Sequence, residues 1–443
     1  MRSAGAPSFP SARKDEETCG SGNFLMEKAV ERSNMLRALR RVKQNRGSCG
    51  VDGMELKEFM PYLMDHWPAI REQLLRDAYH PSPVRRVEIP KPDGGVRLLG
   101  IPTVVDRLIQ QALLQVLTPL FDPEFSDFSF GFRPGRSAHD AVKKAHEYIS
   151  AGYRYVVDLD LEKFFDRVNH DILMSRVARR VKDKSVLRLI RRYLKAGVML
   201  DGCCVRSEVG TPQGGPLSPL LANIMLDDLD KELEKRGARF VRYADDCNLY
   251  VKSLRSGRRV YESVTRFVEG RLKLNVNKEK SAVDRPWKRK FLGFSFTAEK
   301  LPRIRLAPKT VERFKERVRK MTKRRWSIAM KTRIMKLKEY LMGWFGYFKL
   351  IETPSVWEKL DKWIRRRLRA CMLKQWKLPK TKRKKLIGLG IPKEGATKIA
   401  GSRKGCWRLA DSPQLKKALG LAFWHDQGLF SLTENYRKYC ESF

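Results

Sequence analysis

The sequence has few acidic residues and few of the side chains that usually bind transition metals. It contains 50 Asp and Glu against 92 Lys and Arg, which gives a formal net charge of +42 over 443 residues. None of the six histidines forms an H-E-x-x-H motif, and none of the eight cysteines forms a C-x-x-C pair. These absences argue against a zinc ribbon or a zinc-protease centre.

Long apolar stretches are missing as well. No run of 18 apolar residues occurs, which argues against a transmembrane helix and a membrane partner. Residues 1–23 carry Gly, Ser, Pro and charges but not the apolar core of a secretory signal, and we expect a flexible leader there. Scattered cysteines without an export signal favour reduced thiols and a cytoplasmic location.

The excess positive charge is concentrated in one part of the chain. Residues 301–400 contain 31 Lys and Arg but only 7 Asp and Glu. Apolar residues recur there at three- and four-residue steps, which predicts three amphipathic helices separated by Gly343, Gly346 and Pro354. Because a merely solvated face needs no such bias in sign, we expect contact with nucleic-acid phosphates. The basic residues expected to make these contacts are Arg365, Arg366, Arg367, Lys382, Arg383, Lys384 and Lys385.

The rest of the chain mixes strand and helix patterns. Strands are predicted at 84–90, 96–99 and 153–161, as a tight pair at 240–251, and at 291–296. Helices are predicted between them, the longest at 217–235. Strands mixed with helices and followed by a helical block predict an α+β domain and then an all-α domain.

Carboxylates interrupt two of the predicted apolar strands. Asp158 and Asp160 fall on one face of the first, and Asp245 and Asp246 occupy the turn of the second. Burying such groups without a cation is costly, and oxygen ligands without His or Cys favour Mg²⁺. A pair of Mg²⁺ ions is the usual clamp for phosphoryl transfer. The ordinary alternative for an isolated Asp-Asp pair is an exposed hairpin turn.

Several motifs, in a fixed order, resemble those of reverse transcriptases encoded by group II introns. Y-A-D-D at 243–246 resembles the Y-x-D-D box, residues 160–166 resemble the first metal-binding motif, and residues 210–223 resemble the P-Q-G motif. The segments at 89–92, 100–102 and 130–139 are similarly characteristic, and the match extends over roughly residues 24 to 440. The resemblance implies an α+β right-hand polymerase with fingers and palm, followed by an all-α thumb or maturase X domain.

The resemblance also implies roles for individual residues. Asp160, Asp245 and Asp246 would be catalytic and would hold two Mg²⁺ ions, with the Leu161 carbonyl as an extra ligand. Phe165 corresponds to a steric gate against ribonucleotides, and Gln213 lines the nucleotide pocket. Lys91 and Arg97 correspond to cations on the triphosphate, and Lys280 to a lysine near pyrophosphate. Phe291, Leu292 and Gly293 match the primer grip.

The same resemblance implies a domain plan and a biological role. The plan has an N-terminal extension and fingers at 24–150, a palm at 151–300, a thumb at 301–390, and a short DNA- or RNA-binding tail at 391–443. It is that of the compact bacterial class without an endonuclease domain. Such a protein copies template RNA into DNA from a primer and dNTPs. It also binds its intron RNA to promote splicing, and acts at a target DNA in the bacterial cytoplasm.

Two alternatives stay open at this stage. One is a domesticated, free-standing reverse transcriptase in DNA repair or defence, and the position of the gene inside or outside an intron distinguishes it. The other is a non-enzymatic RNA-binding splicing factor. The intact set of Asp160, Asp245 and Asp246 argues against this second interpretation, because RNA binding alone does not need these carboxylates.

Overall fold

A computed structural model describes residues 24–90, 95–200, 203–205, 210 and 214–442. The expected leader, Lys91 and Gln213 lie outside the described residues. The strands are β1 Val84–Pro90, β2 Val96–Ile101, β3 Tyr155–Leu159, β4 Val198–Leu200, β5 Cys203–Val205, β6 Arg239–Tyr243, β7 Asp246–Val251, β8 Ala282–Asp284, β9 Phe294–Phe296 and β10 Ile304–Leu306.

Helices make up most of the remaining ordered backbone. They are α1 Leu25–Val30, α2 Arg32–Gln44, α3 Phe59–Leu75, α4 Val104–Phe121, α5 Ala138–Ser150, α6 Phe164–Arg167, α7 His170–Val177, α8 Lys184–Lys195, α9 Ser218–Lys235 and α10 Leu254–Phe267. The C-terminal part adds α11 Pro308–Met321, α12 Met330–Phe348, α13 Ser355–Gln375, α14 Pro379–Gly388, α15 Lys393–Ala400, α16 Cys406–Leu409, α17 Pro413–Ala418, α18 Leu421–Asp426 and α19 Leu432–Glu441.

Two compact units divide the chain. The first contains the described residues up to 137, together with 157–249 and 255–283. The second contains residues 138–156, 250–254 and 284–442. Each unit is therefore assembled from segments that are far apart in sequence.

The first unit contains a four-stranded sheet in the order β2-β1-β4-β5. β1 and β2 form the predicted antiparallel hairpin, in which Ile89 pairs with Arg97 and Pro90 pairs with Val96. β4 runs parallel to β1, and β5 returns antiparallel to β4. A second four-stranded sheet has the order β6-β7-β3-β8 and contains both of the strands that the carboxylates interrupt.

The long helices α4 and α9 pack in the hydrophobic core of the first unit. Thr103 caps α4 by accepting a hydrogen bond from the Asp106 amide at 3.1 Å. Leu113 and Leu117 of α4 and Met225 and Leu226 of α9 are almost completely buried. Each such side chain stabilises the fold by about 1.5–3 kcal/mol relative to an exposed one. This core supports the sheet that carries the candidate site.

Three of the helices in the second unit confirm the prediction for the basic block. α11, α12 and α13 bury the apolar positions expected from their spacing, including Phe314, Leu337 and Trp357. The prediction that Gly343 and Gly346 break the helix is wrong, because α12 continues through both. Each exposed glycine costs about 1 kcal/mol relative to alanine, and the buried face of α12 outweighs that cost.

The structure confirms the α+β class, with sheets in the N-terminal part, one of them mixed, and helices dominating the C-terminal part. The strand prediction at 291–296 is only partly right, since the chain turns first and β9 begins at Phe294. Within the described residues, no helix is both long and apolar enough to cross a membrane.

Candidate active site

The two strands that the carboxylates interrupt lie side by side and run in opposite directions. Before β3, the Tyr153 ring centre lies 5.6 Å from Lys252 Nζ, just after β7. Further along, the Asp158 carboxylate acts electrostatically on the Cys247 thiol. Because β3 and β7 are neighbours in the sheet and run in opposite directions, Asp160 just after β3 and Asp245 just before β7 lie at the same end of the sheet. Asp160 and Asp245 are half-buried there, and Asp246 is exposed.

The turn at 243–246, which we call the YADD turn, has an unusual backbone. Ala244 is buried and adopts a left-handed conformation with φ of +57°. Arg242 donates a hydrogen bond from Nη1 to the Ala244 carbonyl at 2.9 Å and another to Asn223 Oδ1 at 3.0 Å. Asn223 Nδ2 in turn donates to the Gly131 carbonyl at 2.9 Å. The turn is therefore held by Arg242 together with residues from two other motifs identified in the sequence, Asn223 and Gly131.

A fully buried ion pair between Arg242 and Asp230 supports this turn. Arg242 and Asp230 both have no exposed side-chain surface, and Arg242 Nε lies 2.7 Å from Asp230 Oδ1. Burial by itself lowers the pKa of Arg242, but the neighbouring Asp230 carboxylate raises that pKa overall. The guanidinium therefore stays charged. A buried charge pair is costly unless every donor is used, and here Arg242 also serves Asn223 and Ala244.

Sequence reasoning missed Arg242, Asp230 and Asn223 as supports of the site. The signal for Arg242 was present, because an arginine inside the apolar strand Phe240–Tyr243 has no reason to be buried unless it is paired. Asp230 gave no comparable signal, since an aspartate on a helix with mixed polarity is normally exposed.

The main chain of Asp160 is held by a segment that follows more than a hundred residues later. The Asp160 amide donates to Ser281 Oγ at 3.0 Å, and the Asn277 amide donates to the Asp160 carbonyl at 2.8 Å. Leu161 forms an antiparallel bridge with Val276. The same segment brings Lys280 Nζ to 3.8 Å from Asp160 Oδ2. The predicted carboxylate and the predicted lysine therefore lie in one place.

The donor set at this place suits a hard divalent cation. In the described part of the chain, no three His, Cys, Asp or Glu side chains lie close enough together to form a metal centre by themselves. Mg²⁺ is commonly held by only one or two carboxylates, with water and substrate phosphates completing its shell. Asp160 and Asp245 at the same end of the sheet, with the Leu161 carbonyl next in sequence, therefore fit such an ion.

Elements expected to line a nucleotide pocket converge on the same unit. Gly210 lies so close to the Phe165 carbonyl that a Cβ there would be 3.0 Å away, so the P-Q-G segment begins against the half-buried Phe165. At the other end of that segment, a Cβ on Gly214 would lie 2.5 Å from the Gly100 carbonyl of β2. Arg97 belongs to the same strand. Gln213 and Lys91 lie outside the described residues. The neighbouring Phe164 is buried in the core.

The predicted primer grip forms a tight turn in the second unit. Phe291 and Phe294 exchange two main-chain hydrogen bonds of 3.0 and 2.8 Å, and Leu292 and Gly293 between them both have positive φ. This is the geometry of a two-residue hairpin loop. Thr310 Oγ1 donates to the Gly293 carbonyl at 2.7 Å, and the Tyr347 hydroxyl donates to the Leu292 carbonyl at 3.1 Å.

The basic residues of the second unit fall into two groups. Arg366 stacks on Trp407 at 4.2 Å, and Arg367 donates to Thr322 Oγ1 at 3.0 Å, so both guanidinium groups hold helices together. Arg365 is half-buried on the same helix. On α14, Arg383, Lys384 and Lys385 are exposed and Lys382 is half-buried. The α14 group is therefore the better placed of the two for phosphate contacts.

Two protein-family models match the chain. Residues 89–296 match "Reverse transcriptase (RNA-dependent DNA polymerase)" and residues 311–387 match "Group II intron, maturase-specific domain". The first match contains every carboxylate of the candidate site, and the second contains the basic helices α12 and α13. Reverse transcriptases as a family use divalent metal ions.

Individual proteins are also similar to this chain. The chain is 33% identical to Protein YkfC of Escherichia coli over 272 residues, which is 53% of this chain and 71% of that protein. It is 42% identical to the group II intron-encoded protein LtrA of Lactococcus lactis over 172 residues, 38% of this chain but only 28% of LtrA. A chain of a partial Cas6-RT-Cas1–Cas2 complex is 25% identical, with a TM-score of 0.37 over 56% of this chain and 42% of that one.

Proposed function

Because the chain belongs to the reverse transcriptases and maturases encoded by group II introns, we propose that it copies RNA into DNA at the carboxylates of the YADD turn. The observation that supports this site most directly is the adjacency of β3 and β7, which brings Asp160 and Asp245 to the same end of the sheet. Asp246, next to Asp245 but exposed, completes the proposed catalytic set.

In this proposal Asp160, Asp245 and Asp246 hold two Mg²⁺ ions together with the Leu161 carbonyl. Bound there, such a pair stabilises both the attacking and the leaving oxygens of a phosphoryl transfer. The protein fixes the geometry beforehand: the Asn275–Ser281 segment holds the main chain of Asp160, and Arg242 holds that of Ala244. Lys280, 3.8 Å from Asp160, supplies positive charge or a proton to the departing pyrophosphate.

The incoming dNTP would sit between the P-Q-G segment and the β1–β2 hairpin. Lys91, Arg97 and Gln213 are its proposed partners, on family resemblance alone. The half-buried Phe165 is proposed, also on family resemblance, to exclude a ribose 2′-hydroxyl. The turn at Phe291, Leu292 and Gly293 is proposed to position the primer 3′ end.

The second proposed role is that of a maturase. The basic face of α14, with Lys382, Arg383, Lys384 and Lys385, would bind phosphates of the group II intron RNA, and the match of residues 311–387 supports this. Template–primer duplex and target DNA are the other proposed partners. Because YkfC and LtrA are both bacterial proteins, we place this activity in a bacterial cytoplasm.

The decisive experiment is primer extension on an RNA template with dNTPs and Mg²⁺. Asp245→Asn removes one charge without changing size, and we expect the extension rate to fall at least about 1000-fold, a loss of about 4 kcal/mol of transition-state stabilisation. Asp171→Asn is the matched control, because its side chain is 76% exposed and, among the described residues, forms an ion pair with the surface Arg191. That variant should extend normally.

The same preparation tests the non-enzymatic alternative. If the wild-type chain bound intron RNA but failed to extend a primer, or if Asp245→Asn retained full extension, the proposed catalytic site would be wrong. RNA binding equal in wild type and Asp245→Asn would show that the two proposed roles are separable.

A further inference from the structure

Phe132 has a backbone conformation that a bulky residue rarely adopts. Its φ is +61°, in the left-handed region that favours glycine. An aromatic side chain there costs free energy and persists only where the surroundings impose it. Such strain is often found at functional sites, so the residue needs an explanation beyond packing.

The residues on both sides of Phe132 are firmly anchored. A Cβ on Gly131 would lie only 2.2 Å from the Ala244 amide nitrogen, so the main chain presses directly on the YADD turn. Arg133 is buried and donates to Asp122 Oδ1 at 2.8 Å and to the Ser126 carbonyl at 2.6 Å. The position of Phe132 between these anchors is therefore fixed by the fold.

The ring that this arrangement presents is exposed. Its side chain is 52% exposed, and its ring centre lies 6.4 Å from that of Tyr243 at an angle of 45°. Two rings, one exposed and one half-buried, therefore flank the start of the YADD turn. An exposed phenylalanine alone needs no explanation, but an exposed one held in a strained conformation beside the candidate catalytic carboxylates does.

We propose that Phe132 is a nucleic-acid-binding residue that stacks on a base or sugar of the primer–template duplex next to the YADD turn. The inference rests on the proposed polymerase function, because a primer whose 3′ end reaches Asp245 must pass Tyr243. Aromatic rings stack on bases of any sequence, which a polymerase requires. The net charge of +42 supplies the attraction for a polyanion, and Phe132 adds an apolar contact at the reacting end.

The first test is equilibrium binding of an RNA–DNA duplex with a recessed primer 3′ end, measured by fluorescence anisotropy without dNTPs or metal. Phe132→Leu keeps the strained backbone but loses the ring, and we expect its Kd to rise about 5- to 100-fold. Phe132→Tyr should bind within about twofold of wild type. Phe24→Leu is the matched control, since Phe24 is 60% exposed on the same unit and should not affect the Kd.

The second test uses stability. Phe132→Gly places a residue that tolerates positive φ at this position, so the thermal midpoint should rise while duplex binding weakens. A packing residue would behave in the opposite way, with a lower midpoint and unchanged binding. A lower midpoint for Phe132→Gly, or a Kd for Phe132→Leu within twofold of wild type, would overturn the proposal.

Failure of this inference is distinguishable from failure of the proposed function. Absence of primer extension by the wild-type protein would refute polymerase activity but would leave the ring-dependent Kd intact. Normal primer extension by the wild-type protein, together with a Kd that does not change when the ring is removed, would refute only the role of Phe132.

Discussion

Arg242 shows how a single side chain connects distant parts of the chain at the candidate site. It pairs with Asp230 of α9, donates to Asn223 of the same helix, and donates to the Ala244 carbonyl in the turn. A planar guanidinium reaches all three at once, whereas a lysine ammonium is a single compact donor group. The role of Arg242 therefore depends on its shape as well as its charge.

Arg242→Lys should separate geometry from charge. We expect the ion pair with Asp230 to persist in part but the hold on Ala244 to disappear. The kcat of primer extension should then fall about 10- to 100-fold, equivalent to about 1.4–2.8 kcal/mol. The Mg²⁺ concentration for half-maximal rate should rise, while the Kd for the duplex should stay unchanged. Steady-state kinetics over a range of Mg²⁺ concentrations measure the kcat and the Mg²⁺ concentration for half-maximal rate. A separate binding measurement gives the Kd for the duplex.

Arg176→Lys is the matched control for that change. Arg176 is also a buried arginine, paired with Asp228 at 2.9 Å and donating to the Met225 carbonyl at 2.8 Å, but it makes no bond to the YADD turn. The two variants should lose similar stability. Equal losses of kcat in both would show that the effect of Arg242→Lys comes from general destabilisation.

At the scale of elements, the helices and the carboxylate strands follow from the sequence pattern. Burial of Phe314, Leu337 and Trp357 reproduces the three- and four-residue spacing, and β6 and β7 flank the turn expected from their alternation. The continuation of α12 through Gly343 could not be predicted locally, because tertiary burial outweighed glycine's low helix propensity. The pairing of β3 with β7 also depends on distant parts of the chain.

Helix α13 shows the same dependence on residues far away in sequence. Its buried Asp361 accepts hydrogen bonds from the Leu432 and Thr433 amides at 3.1 and 2.9 Å, and from Thr433 Oγ1 at 2.7 Å. Asp361 therefore satisfies donors at the start of α19, where a helix has no internal partners. A side chain about 70 residues earlier fixes where this helix begins.

Asp361→Ala should loosen α19 selectively. The loss of hydrogen bonds to a charged acceptor should cost about 1.5–3 kcal/mol in the free energy of unfolding of the second unit. Amide exchange in residues 432–441 should accelerate most, as read by hydrogen–deuterium exchange mass spectrometry. Glu358→Ala removes a carboxylate of the same helix that forms an exposed ion pair with Lys362, and it should cost less than about 0.5 kcal/mol. Uniform acceleration along the whole unit would contradict the capping role.

For the whole molecule, the dominant quantity is charge. The sequence located the basic segment but could not separate guanidinium groups used within the fold from those available to a ligand. Arg366 and Arg367 belong to the first kind, because their bonds to Trp407 and Thr322 require the folded arrangement of the helices. The partner of the buried Arg242 was likewise out of reach of the sequence, since Asp230 becomes its neighbour only after folding.

Salt dependence of RNA binding should distinguish the two kinds of basic residue. Replacing Lys382, Arg383, Lys384 and Lys385 by glutamine should reduce the slope of log K against log salt by about 0.7–0.9 for each phosphate that is no longer neutralised. Arg366→Gln should lower the thermal midpoint and leave that slope unchanged. An unchanged slope in the fourfold variant would exclude α14 from the RNA-binding surface.

The support of Asp160 by the segment around Ser281 has a consequence for synthesis on the ribosome. The two residues that make the 3.0 Å bond are separated by 121 positions. At translation rates of about 5–20 residues per second, Asp160 waits roughly 6–24 s for its partner to be made. The basic block at residues 301–400, with its 31 Lys and Arg, is made later still. An emerging chain would thus complete the support of Asp160 before it acquires the helices proposed to bind RNA.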